Sequence, residues 1–397
     1  MANYDYEIVN GRKIRVRPKE TVSEIDKNGY FRRQPNHFTT PFGDGENDLK
    51  AEGNKRYRLV WAKLCHWSNR AAIVRELEGL EDQISVNMVE HAPHEKNLGW
   101  EYVYNENNID PVLGDQFLSE AYYRADDDYQ GRTTVPALID TTTGKVVNND
   151  YNWLTTYFEV NFRPWHKKGA PELYPVELRE EIDKMNLWLF DNINNAVYRS
   201  SFSRSNEGHF DGVNAFYAAM DRLEKRLETN RFLFGDYVTD SDIRLYVTLA
   251  RLDIRYTAQL GETKRPLYTY KNLWGYAKEL WEIPAFKNNR FRHLHITQIL
   301  QPSSAREELR ERKTASAPAH TTIWHFRRLT GMHSGRFRPS APTCPQTRPI
   351  RFILETTADS TSTRPGTIWA QNLRKKRRKK RRRPADAAAA DQIIDKK

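Results

Sequence analysis

The chain has 397 residues, with 63 Lys and Arg against 52 Asp and Glu, a net charge of +11. The excess is local: residues 301–397 hold 23 basic and 8 acidic side chains, whereas residues 1–300 hold 40 and 44. Two cysteines, Cys65 and Cys344, exclude a disulfide framework and a cysteine-rich zinc site, and no apolar run approaches the roughly 18 residues of a membrane span. So few cysteines, and a start without an apolar leader, predict a cytoplasmic, reducing setting with no membrane contact.

Residues 1–55 are polar and turn-rich and read as an extended N-terminal arm, pinned to the body by Tyr30, Phe31 and Phe38. YRLVWAK (57–63) reads as a buried strand. Leu64 to Ser68 read as a turn and 69–80 as a helix, with Ala72, Ile73, Leu77 and Leu80 on one side and Gly79 near its end. ISVNMVE (84–90) is a second strand, which completes a βαβ unit. Residues 91–131 form a long loop region that holds a short helix at 114–125. TTVPALID (133–140) reads as a strand containing Pro136, TTTG as a hairpin turn, KVVNND (145–150) as the partner strand and 151–158 as a helix. This order predicts a thioredoxin-like domain over 56–159.

Three prolines in VNFRPWHKKGAPELYP mark a linker at 160–176. Helical periodicity then runs on, with Leu178, Ile182, Met185, Leu189 and Ile193 in phase and a second repeat at 213–228. Thr239 to Asp242 form a capping box ahead of another apolar helix at 242–256, and 273–283 is a further helix. The predicted fold class is α/β plus all-α: a thioredoxin-like N-terminal domain packed on an all-helical C-terminal domain at 177–300. Beyond Leu300 the periodicity stops. The tail 301–397 holds 8 of the 19 prolines and ends in ten consecutive basic residues, Arg374–Arg383. It reads as a disordered extension that binds nucleic acid only non-specifically, since no ring interrupts the basic run.

Cys65 falls where a strand enters a helix, and free N–H groups and the helix dipole favour a thiolate there. At the CxxC distance stands Ser68, so single-thiol chemistry at Cys65 requires an external thiol. A buried structural cysteine is the plainer account of the same position. Pro136 suits either an edge strand or a cis bond that exposes the preceding backbone.

Several blocks, RYRLVWAKLCHWSNR (56–70), Gly99-Trp100, GRTTVPALID (131–140), the NNAVY segment (194–198) and the LDIRY segment (252–256) after the capping box, together resemble the glutathionyl-hydroquinone reductases. These are the Xi class of glutathione transferases, and the resemblance runs from about Phe31 to Ile299. It implies reductive removal of glutathione from glutathionyl-hydroquinones by a homodimer, with glutathione as co-substrate and no metal. Cys65 matches the nucleophile, and Tyr198 and Tyr256 match tyrosines that handle the phenolic hydroxyl. Trp100, Arg132, Thr133, Thr134, Val135, Asp150 and Tyr151 match the glutathione-binding positions, with Asp150 suited to the α-amino group. A mixed disulfide on Cys65 would be resolved by a second glutathione.

Each of these residues also has a structural account: Trp100 as a core ring, Tyr198 and Tyr256 as packed helix positions, Arg132 as a solvated charge, Asp150 as a helix cap. Three positions depart from the family pattern. His66 replaces a proline after the cysteine, where a cationic imidazole would stabilise the thiolate. Tyr151 replaces a serine. The third family tyrosine has no match in FRHLHITQIL (291–300), which offers His293 and His295. The competing readings are an omega-like transferase using another thiol or substrate, and a non-catalytic binding module on the same fold.

Overall fold

The structure is a computed structural model, and it describes residues 4–17, 23–92, 98–261 and 265–289. The expected tail, and the segment searched for a third tyrosine, lie outside these residues. The arm does not begin extended. Tyr6–Val9 (β1) and Arg12–Arg15 (β2) pair as a hairpin. Its two turn residues, Asn10 and Gly11, have φ of 51° and 78°, the left-handed pair that a tight hairpin needs.

Tyr57–Trp61 (β3) is buried along its whole length and lies inside a four-stranded sheet. His66–Glu78 (α1) carries the chain over to Ile84–Met88 (β4), which pairs with β3 in parallel. Gly79 ends α1 at φ 73°, a left-handed cap that an L side chain resists. α1 starts three residues earlier than the periodicity predicts. The Cys65 carbonyl already accepts the Asn69 N–H at 3.0 Å, so the first turn is His66-Trp67-Ser68-Asn69. Those four residues are all buried, and a turn buried on every side leaves no amphipathic pattern to read.

A small ladder, Glu90–His91 (β5) with Trp100–Glu101 (β6), precedes Leu118–Ala125 (α2). α2 begins four residues later than predicted, because the Glu120 carboxylate collects the Gln116 and Phe117 N–H groups at 2.8 and 3.0 Å. Ala137–Asp140 (β7) and Lys145–Asn148 (β8) complete the sheet in the order β4-β3-β7-β8. Pro136 therefore stands just outside its strand, and the Val135–Pro136 bond is cis. Leu154–Val160 (α3) starts after a turn in which the Asp150 carbonyl accepts the Trp153 and Leu154 N–H groups. One parallel crossover, then an antiparallel hairpin and a helix, is the thioredoxin-like arrangement.

The helical region comprises Arg179–Leu189 (α4), Ala196–Phe202 (α5), Asn206–Arg226 (α6), Asp240–Arg251 (α7), Lys271–Trp281 (α8) and Pro284–Asn288 (α9). Two π-helical turns interrupt it, Phe190–Asn194 before α5 and Leu252–Tyr256 after α7. α5 and α6 pack so closely at Gly212 that a Cβ there would stand 2.4 Å from the Ser200 nitrogen. α1 packs on α3 and α7, which joins the sheet layer to the helical layer. No described helix is long and apolar enough to cross a membrane.

Candidate active site

Cys65 is the N-cap of α1, half-buried, and its thiol donates to the Val135 carbonyl at 3.4 Å. Two side chains fix the turn that carries it. The Ser68 hydroxyl accepts the Ala62 N–H at 3.1 Å, inside the same turn. Arg251, fully buried at the end of α7, donates to the Lys63 carbonyl at 2.7 Å and to Asn69 Oδ1 at 3.0 Å. A helical-layer cation thus holds the strand-to-helix junction of the sheet layer. On the other side of the sulfur, Tyr122 clamps Thr134, donating to its carbonyl at 2.7 Å.

Cys65 opens into a cavity of about 910 Å³. Of the residues expected at the site, Cys65, Tyr198 and Tyr256 line it together, as do Trp100, Arg132, Thr134, Val135 and Tyr151. Thr133 and Asp150 do not line it. Asp150 is buried behind the wall, where its Oδ1 accepts Asn36 Nδ2 at 2.8 Å and the Asn152 N–H at 3.0 Å. Burial lifts its carboxyl above the ordinary value against those hydrogen bonds. The Tyr151 ring lies against Trp67, with centroids 4.8 Å apart, and its carbonyl accepts from the fully buried Arg70.

The N-terminal arm supplies a wall that sequence reasoning missed. Glu24 holds Arg132 through two bonds of 2.9 and 3.0 Å. Gln34 both donates to the Arg132 carbonyl and accepts the Arg132 N–H, each at 3.0 Å, as a neighbouring strand would. Burial works against the Glu24 carboxylate, yet Arg132, the Gln34 N–H and Arg33 hold it below its ordinary value. Arg132 is thus an ion-paired wall residue, part of whose side chain stays open to solvent. Arg33 places its guanidinium 4.7 Å from the Trp67 ring and 4.4 Å from the Tyr198 ring, within cation–π range of both.

His66 contradicts its expected role. Its imidazole is buried rather than cationic beside the sulfur. Burial drives its pKa well below the ordinary value, and Arg251, Arg33 and Arg70 push the same way. Its Nδ1 lies 3.1 Å from the Tyr256 hydroxyl and 3.2 Å from the Thr248 hydroxyl. Tyr256 is buried too, and Tyr198 is half-buried. Burial raises both phenols, Tyr256 well above its ordinary value, and each is raised further by the Cys65 charge. Both therefore stand as neutral O–H groups near pH 7.

A thiol at a helix N-terminus, a cis proline beside it and a helical layer closing the cavity are the arrangement of a glutathione transferase. The family model for the glutathione S-transferase C-terminal domain matches residues 196–279. Glutathione S-transferase omega-like 2 of Schizosaccharomyces pombe is 34% identical over 286 residues, which cover 68% of this chain and 90% of that relative. Glutathionyl-hydroquinone reductase YqjG of Escherichia coli is 33% identical over 229 residues, 58% of this chain and 70% of the relative. The Xi glutathione transferase of Phanerochaete chrysosporium superposes with a TM-score of 0.61 at 34% identity, covering 68% of this chain and 87% of that structure. The chain belongs to the Xi class of glutathione transferases, the family of the glutathionyl-hydroquinone reductases.

Proposed function

We propose that the chain reductively removes glutathione from glutathionyl-hydroquinones, with glutathione as second substrate. One observation carries this reading: the Cys65 sulfur, 3.4 Å from the Val135 carbonyl, shares a cavity with two phenols, Tyr198 and Tyr256. The Cys65 thiolate attacks the conjugate's sulfur. The aryl carbon–sulfur bond breaks, its electron pair goes to the ring and a proton follows. The hydroquinone leaves, and Cys65 remains as a mixed disulfide. A second glutathione attacks that disulfide, releasing glutathione disulfide and the thiolate.

In this reading the Tyr198 and Tyr256 hydroxyls hold the phenolic oxygen as its charge builds, a task for neutral donors. The Val135 backbone pairs with the glutathione cysteine beside Thr133 and Thr134. Trp100 and the Arg132–Glu24 pair border the tripeptide, and Asp150 and Tyr151 stand at its γ-glutamyl end. We propose the same division of labour for the chain as a whole: a thioredoxin-like domain over 56–159, a linker at 160–176 and a helical domain from 177, acting as a homodimer in a reducing cytoplasm.

The test is turnover of a synthetic glutathionyl-hydroquinone by the full chain. Free hydroquinone, read by chromatography, and glutathione disulfide, read by a coupled reductase, are expected in equal amounts. Absence of hydroquinone release rejects the proposal. Tyr198→Phe is expected to lower kcat about 100-fold, the scale of one acid–base group. The rate at which iodoacetamide alkylates Cys65 should stay unchanged; a matching fall in alkylation would assign Tyr198 to the thiol instead.

A further inference from the structure

His66 is the first residue of α1, and only one of its ring nitrogens has company. Nδ1 faces two hydroxyl oxygens, Tyr256 at 3.1 Å and Thr248 at 3.2 Å. Nε2 is buried and has no hydrogen-bond partner among the described residues. The imidazole is 1% exposed and packs edge-on against Trp67, with Tyr198 and Tyr256 beyond it at centroid distances of 5.2 and 5.8 Å. The groups around it are Cys65 and Arg70 on α1, Arg33 from the arm, Arg251 at the end of α7, Tyr256 in the following π turn and Tyr198 on α5. The three charged groups that act on it are all guanidinium ions, so the ring is neutral and carries one proton.

That proton can sit on either nitrogen, and the surroundings distinguish them. On Nε2 it would make a buried N–H with no acceptor, among the rarest features of folded proteins. On Nδ1 it has two acceptors. The Thr248 oxygen already accepts Asn194 Nδ2 at 2.8 Å, which leaves the Tyr256 oxygen as the less committed partner. A phenol that accepts from His66 cannot turn its own proton back toward the ring. Its O–H must point away from the ring, where the cavity that both phenols line is open to it.

We propose that His66 is a positioning residue that donates from Nδ1 to the Tyr256 oxygen and so directs the phenolic proton of Tyr256 toward the substrate. This rests on the hydroquinone-conjugate reading for its catalytic consequence, though not for the donor direction itself. The donors then run one way, from imidazole to Tyr256 to the leaving hydroquinone oxygen. The histidine never touches substrate; it removes the alternative in which Tyr256 spends its proton on Nδ1.

The experiment has two arms on the full chain. First, nitrogen NMR of 15N-histidine-labelled protein is expected to show the His66 Nδ1 protonated and Nε2 bare, the resonance being identified by its loss in His66→Asn. Second, His66→Leu is expected to lower kcat about tenfold, a fraction of a full acid–base contribution, with KM for glutathione and Cys65 alkylation unchanged. His66→Asn, whose amide nitrogen falls where Nδ1 stood, should recover most of that loss. A proton on Nε2, a His66→Leu kcat within about twofold of the parent, or an Asn variant as slow as the Leu variant overturns the proposal. If the parent chain releases no hydroquinone at all, the functional reading falls, while the nitrogen assignment still decides the donor direction.

Discussion

Cys65→Ser is expected to lower hydroquinone release by more than about 1,000-fold, to the background of the uncatalysed reaction. Serine keeps the shape of the N-cap and can still hydrogen-bond the Val135 carbonyl, which the thiol reaches at 3.4 Å. What it cannot do is form the sulfur–sulfur bond on which both half-reactions depend. The structural account of the same residue, a buried filler, predicts little effect on turnover beyond a change in stability. Mass spectrometry after treatment with glutathione disulfide separates the two. The parent should gain one glutathionyl group that maps to the Cys65 peptide, and the serine variant none there. An adduct confined to Cys344, with the serine variant fully active, would remove Cys65 from the chemistry.

Asp242→Ala is expected to destabilise the fold by about 3–5 kcal/mol, the range reached when a buried hydrogen-bond network loses its acceptor. Asp242 is fully buried at the start of α7. One carboxylate oxygen accepts the Leu233 N–H and the Tyr276 hydroxyl, both at 2.9 Å. The other accepts the Thr239 N–H and hydroxyl, both at 2.8 Å. Alanine would strand four donors and unfasten the helix start, whose cap alone is worth about 1 kcal/mol. α7 carries Arg251 and leads into Tyr256, so the loss would reach the Cys65 turn as well. Urea denaturation checks it, and a change below about 1 kcal/mol would show that solvent readily replaces the carboxylate.

The sequence made the βαβ unit legible because YRLVW is apolar apart from Arg58 and the helix after it shows a one-sided pattern. It also made Cys65 legible, through its place between the two. Asp242 was readable because a capping box is a local motif. The arm's part was not readable. Glu24, Arg33 and Gln34 are ordinary polar residues; Glu24 and Gln34 acquire meaning only where they meet Arg132, about 100 residues later, and Arg33 where it meets the rings of Trp67 and Tyr198. His66 illustrates the same limit. Its neighbours are plain from sequence, but its charge depends on burial under Thr248 and Tyr256, more than 180 positions away. The glutathione-contacting set was read by resemblance, and two of its members, Thr133 and Asp150, stand outside the cavity lining. A resemblance marks positions along the chain, and only the packed structure decides which of them face the cavity.

The two π turns give the site a property that no single side chain carries. Each turn, Phe190–Asn194 and Leu252–Tyr256, spends one residue more than an α-helical turn, and each lies at or just before one of the two tyrosines. The phenols are therefore set one step out of phase with the helices that deliver them. Loss of a single residue from either turn would relax it to α geometry and swing the tyrosine about 100° around the helix axis. Here the spacing of the chain, as much as its chemistry, determines that two tyrosines line the cavity into which one sulfur opens. Changes of length in these helices would then be a route to new specificity, or to silence, that leaves every residue of the site in place.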